Sequence, residues 1–153
     1  MINAPRRFTG TLTESGTRAF VELPFDPDEA WGAKDRHYVA GRVGGRPFRG
    51  VLDRTALGFV LPLGPTWRRD NGIEPGASST STVAPEGPLV ESLDADIASA
   101  LDAEPKAGAL FRSVAPFYRK NFVRWITSAK RPETRAARIA EMVTLLAAGK
   151  IER

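Results

Sequence analysis

Seven basic side chains, Arg119, Lys120, Arg124, Lys130, Arg131, Arg135 and Arg138, crowd one short stretch and form the densest charged feature of the chain. Arg131, Arg135 and Arg138 stand four and three apart, a spacing that puts them on one helix face. Lys130 and Arg131 precede Pro132, a residue that suits the first turn of a helix. Guanidinium groups beside the free N–H groups of a helix start favour an anion. Lys130, Arg131, Arg135, Arg138 and Arg124 are therefore the candidate anion- or partner-binding residues. The competing outcome is that Glu133 and an acidic first part of the chain neutralise them internally.

Aromatic and titratable residues supply fewer options. Trp125 has a ring that can stack on a base or a ligand. Its spacing from Phe122, Ile126 and Ala129 puts it instead on an apolar helical stripe, and so in a core. Trp31 and Trp67 follow strand ends and, with Arg49, are candidate contacts for a ligand at a barrel mouth. His37 is the single histidine and the one group suited to proton transfer near neutral pH. With no cysteine and no serine elbow beside it, a surface or pore-lining role is expected, and no catalytic residue is assigned. Asp26, Asp28 and Glu29 have the spacing of a helix cap rather than of a metal site. Arg49 and Asp53, four apart on one strand run, are expected to form a surface ion pair. No metal and no cofactor is expected, and the absence of cysteine excludes thiolate sites, disulfides and a cysteine nucleophile.

These residues need a scaffold, and 153 residues suffice for one ordinary domain or two small ones. A composition of 42% hydrophobic and 26% charged residues is that of a globular protein. No apolar run approaches the roughly 20 residues of a membrane span, and the start lacks a secretory h-region, so a cytoplasmic location is expected. The net charge of +4 is unevenly spread. Met1 to Glu104 holds 11 basic against 15 acidic residues, and Pro105 to Arg153 holds 11 against 3.

The first half alternates with period two. Phe8, Gly10 and Leu12, then Ala19, Val21 and Leu23, each line one face of a strand. Asp26 caps a short helix carrying Trp31. Strands from His37 to Val43 and from Arg46 to Asp53 flank Gly44-Gly45, a strong signal for a two-residue hairpin turn. Leu57 to Leu63 and Ser78 to Val83 complete six strands, with a helical turn capped by Thr66 between them. Six short strands indicate a small closed antiparallel barrel. Past Pro88 the period becomes 3.6. Helices are expected after Asp94, from Pro105, from Pro116 to Ala129, and from Pro132 to a stop at Gly149-Lys150. The fold class is α+β, with a barrel domain over 1–88 and a helical domain over 89–153.

The run Trp125-Ile126-Thr127-Ser128-Ala129-Lys130-Arg131-Pro132-Glu133-Thr134-Arg135, with Leu145, Gly149 and Lys150, resembles the helical domain called bacteriocin-protection, YdeI or OmpD-associated. Val21-Glu22-Leu23-Pro24, Trp31-Gly32 and Val43-Gly44-Gly45-Arg46-Pro47-Phe48-Arg49-Gly50 resemble the DUF1905 barrel. The resemblance implies a six-stranded barrel ahead of a helical domain and a role in tolerance of antimicrobial peptides. The leading expectation is a non-enzymatic cytoplasmic binding or stress-protection protein with a protein or anionic ligand as partner. The alternatives are a small-ligand carrier or enzyme using the barrel interior and, more weakly, nucleic-acid binding through the basic helices, which the acidic first part disfavours.

Overall fold

The computed structural model describes residues 3–153, and the chain divides into two compact units, 1–86 and 87–153. The first unit is built from β1 (Arg6–Ser15), β2 (Arg18–Glu22), α1 (Pro27–Trp31), β3 (Tyr38–Val43), β4 (Arg46–Val51), β5 (Asp53–Thr55), β6 (Gly58–Pro62), α2 (Pro65–Asn71) and β7 (Ser78–Pro85). All neighbours are antiparallel in the order β4-β3-β7-β1-β2-β6-β5. The long strand β1 is the pivot: Arg6 to Thr11 pair with β7, whereas Leu12 to Ser15 pair with β2.

The sheet is an open half-barrel of seven strands, not the closed barrel of six that the spacing predicts. The difference lies at Leu52. The run from Arg46 to Asp53, expected as one strand, leaves its ladder there, because the Leu52 side chain turns into the core and its N–H donates to the His37 carbonyl at 3.0 Å. The three residues of β5 then pair with β6. The edge strands β4 and β5 are thus joined through one residue of chain while no ladder joins them.

Local chemistry explains most of the other boundaries. Gly44 and Gly45 have φ of +58° and +79°, the two positive values of the tight turn that pairs Val43 with Arg46. Asp26 caps α1 by accepting the Asp28 N–H at 2.8 Å. Helix α2 starts from Gly64 with Pro65 in its first turn, so Thr66 is inside the helix rather than its cap. The alternating residues Leu12, Val21, Val39, Val43, Leu61 and Val83 are buried in one core.

The second unit opens with a short 3-10 turn at Val90–Ser92, followed by α3 (Ala95–Ala103), α4 (Pro105–Ser113), α5 (Pro116–Thr127) and α6 (Pro132–Ala147). Its core is Ile97, Leu101, Phe111, Phe122, Ile126, Met142 and Leu146, the stripe residues of four helices. Helix α6 ends as its residues require: Gly149 takes φ +82° and Lys150 N–H donates back to the Leu145 carbonyl at 2.8 Å. None of the described helices is long and apolar enough to cross a membrane.

Candidate functional site

The basic constellation does not act as one cluster. Arg119 is buried, 3% exposed, and its Nη1 donates to the Pro88 carbonyl at 2.9 Å. Arg135 is gripped by two carboxylates of the α3 start: its Nε donates to Asp96 Oδ2 at 2.6 Å and its Nη2 to Asp94 Oδ2 at 2.9 Å. The hydrogen bonds to Asp96 and then Asp94 hold the Arg135 guanidinium above its usual range, and the same contact holds the Asp96 carboxyl below its own. Asp94, placed as the α3 cap, makes no side-chain cap bond and receives Arg135 instead.

The acids that hold Arg135 are therefore Asp94 and Asp96, not Glu133. Residues up to Glu86 carry 11 basic and 10 acidic groups, and those after it 11 and 8. Of the 15 acids before Pro105, Glu91 on the 3-10 turn and Asp94, Asp96, Asp102 and Glu104 on α3 and at its ends lie inside the helical unit.

Lys130 and Arg131 are exposed at the turn between α5 and α6. Arg138 points back toward α5: its Nη1 donates to the Trp125 carbonyl at 2.7 Å and to Ser128 Oγ at 3.1 Å. That carbonyl is among the last of α5, which have no partner within the helix, so the arginine fills a structural need. The same guanidinium lies 5.4 Å from the centroid of the Trp125 ring, and that of Arg153 lies 4.4 Å from it. Trp125 is half-buried rather than in the core; it packs on the core's edge and keeps part of its ring open.

A groove of about 550 Å³ opens at this ring. Tyr118, Asn121, Phe122, Arg124 and Trp125 of α5, with Ser128 at its C-cap, form one side, and Ile151, Glu152 and Arg153 form the other. The helical spacing 118, 121, 122, 125 and 128 sets those α5 side chains on one face. Of the predicted anion-binding residues, the structure brings Arg124 and Arg138 to this ring, ties Arg135 to α3, and leaves Lys130 and Arg131 at the turn. Tyr118, Asn121 and the 151–153 wall were missed, although the spacing along α5 was the available signal for the first two.

The predicted barrel-mouth residues separate as well. Trp31 is 3% exposed in the core, and its indole N–H donates to the Ala4 carbonyl at 2.9 Å. It cannot stand at a mouth, because the ring is the packing surface of α1 against the sheet. Trp67 is half-buried, and its N–H donates to the Pro47 carbonyl at 2.9 Å. Arg49 is exposed and pairs with Glu86 at 3.3 Å, while Asp53, on the separate strand β5, pairs with Arg18. The break at Leu52 is why Arg49 and Asp53 do not meet.

A second polar centre lies in the first unit. His37 is not at the surface: its side chain is 3% exposed, and Nε2 stands 2.6 Å from Asp28 Oδ1. An ionised carboxylate only accepts, so the imidazole nitrogen carries the proton. Asp28 Oδ2 accepts from Arg54 at 3.1 Å, and Oδ1 also accepts the Lys34 N–H at 3.3 Å. The His37 hydrogen bond, opposed by desolvation and helped by Lys34 and Arg54, holds the Asp28 carboxyl below its ordinary range. Trp31 and Phe59 flank the imidazole at centroid distances of 6.3 and 5.6 Å. Asp28 thus ties α1, the loop before β3 and β5 together. Among the described residues no three acidic or histidine side chains converge as a metal site.

The model of the bacteriocin-protection, YdeI or OmpD-associated family (OmdA) matches residues 92–149, and that of the domain of unknown function DUF1905 matches residues 8–83. The chain is a DUF1905 domain followed by an OmdA domain. No curated protein matches it significantly. The α5 side of the groove, with Arg124 and Trp125, lies inside the residues matched to OmdA, and the Ile151 to Arg153 wall lies just beyond them. The Asp28 centre belongs to the DUF1905 domain.

Proposed function

We propose that the protein is a non-enzymatic binding protein of the cytoplasm that takes an anionic partner in the groove of its OmdA domain, serving the protective role named in the family's description. The observation that carries this reading is the half-buried Trp125 ring with the Arg138 and Arg153 guanidinium groups over it and Arg124 beside it. An open ring ringed by cations favours ligands that combine apolar surface with negative charge. Melting in sulfate and in chloride at equal ionic strength tests it, since a ligand of the folded state stabilises by mass action. Sulfate also stabilises proteins by exclusion, so the comparison is made between the wild type and Arg124→Ala/Arg153→Ala. The expected result is a smaller sulfate increment in the variant. Equal increments refute the reading.

A further inference from the structure

We infer that the groove accommodates an aromatic ring carrying a single carboxylate, either a free aromatic acid or the C-terminal aromatic residue of a peptide. The inference rests on the proposed anion-binding role of the groove and narrows it to one chemistry. Three features of the groove point to it.

The first is shape. A volume of about 550 Å³ lies within the range of small-molecule sites. Tyr118 and Trp125 stand two turns apart along α5, roughly 10 Å, with the buried Phe122 between them, a length that accommodates one or two rings rather than an extended polymer. Aromatic surface of this kind pairs best with another ring, stacked or edge-on.

The second is charge. Arg124 and Arg153 line the groove with Glu152 between the tail's hydrophobic Ile151 and Arg153, and the Arg138 guanidinium stands over the indole. With Glu152 offsetting one of the two lining guanidinium groups, the excess charge of the groove is the one that a single carboxylate neutralises. A planar carboxylate also matches the planar fork of an arginine, which binds it through two parallel hydrogen bonds.

The third is fixed geometry. Arg138, held by its bonds to the Trp125 carbonyl and to Ser128 Oγ, packs its guanidinium on the indole at 5.4 Å, so the Trp125 ring of the groove is set in place before a ligand arrives. A positioned ring binds with less loss of side-chain freedom than a mobile one.

The test uses the full chain and ligand-observed NMR with indole-3-acetate, with 3-methylindole and acetate as controls that keep only the ring or only the carboxylate. A short peptide ending in a free Phe carboxylate, and the same peptide amidated, form a second arm. Binding of indole-3-acetate or of the free-carboxylate peptide, weakened about tenfold or more in Arg124→Gln/Arg153→Gln, supports the inference. Both substitutions lie on exposed side chains, so folding is kept; Trp125→Leu is the companion variant and is expected to abolish the ring contribution. Which of the two probes binds more tightly identifies the source. Equal binding of 3-methylindole, or binding indifferent to the arginines, overturns the inference. An arginine-dependent sulfate effect without any aromatic acid binding overturns it while leaving the broader anion-binding proposal standing; loss of both removes both.

Discussion

Replacing Asp28 by alanine removes a carboxylate that joins three segments of the DUF1905 domain. The Nε2–H of His37 then loses its acceptor at a side chain only 3% exposed. A buried donor left without a partner costs about 1–3 kcal/mol, and the upper part of that range applies because the lost acceptor is charged. The Arg54 pair adds little, since Arg54 is 61% exposed and surface ion pairs contribute about 0–1 kcal/mol. The Lys34 N–H contact, at 3.3 Å, adds less still. Alanine is a good helix former, so α1 loses only the favourable charge of its first turn, about 0.3 kcal/mol at an N-terminus that keeps Glu29. The sum is a loss of about 3 kcal/mol at pH 7. Urea unfolding followed by tryptophan fluorescence measures it, with Trp31 beside the imidazole as the reporter. Acid supplies a second signature. A carboxyl whose folded pKa is lowered gives stability that is present above its unfolded value near 3.8 and is lost as the pH falls through the folded value. The wild type should therefore lose stability below about pH 4 along a slope that Asp28→Ala lacks at this site. A variant within about 0.5 kcal/mol of wild type at pH 7, with an unchanged acid slope, refutes the account of Asp28 as a clamp.

Other outcomes follow from the packing. Gly41→Ala should prevent normal folding of the DUF1905 domain, because a Cβ there would lie 1.8 Å from the Thr82 carbonyl oxygen across the β3–β7 ladder; a soluble variant with native circular dichroism and melting would contradict this. Phe111→Ala, at a fully buried ring, should cost about 3–5 kcal/mol, whereas Trp125→Ala, at the core's edge, should cost about 1–2 kcal/mol; equal losses in urea unfolding would return Trp125 to the core. Arg135→Ala should lower the melting temperature of the OmdA domain, and the deficit should shrink as salt is raised, because the bonds to Asp94 and Asp96 are exposed to solvent screening. A deficit that is independent of salt would show that the arginine acts through packing instead.

The sequence by itself determined what depends on near neighbours. The change of period near Pro88 separates sheet from helices, Gly44-Gly45 makes the hairpin, Asp26 caps α1 and Gly149-Lys150 closes α6. Each follows from dihedral preferences or hydrogen bonds within a few residues, which act in the same way whatever surrounds them. Only the tertiary structure decided which groups meet. Asp28 meets His37 nine residues on and Arg54 twenty-six on, and Arg135 meets Asp96 across thirty-nine. A charged side chain has many oppositely charged candidates of nearly equal energy in the sequence, and the path of the chain selects among them. The same path set the opening of the half-barrel. Leu52 reads as one more strand residue until the core takes its side chain and the His37 carbonyl takes its N–H. Trp125 likewise carries the periodicity of a buried residue. The turn into α6 and the return of residues 151–153 leave one side of its ring at a groove, because a helical stripe specifies a direction and not the depth at which packing stops.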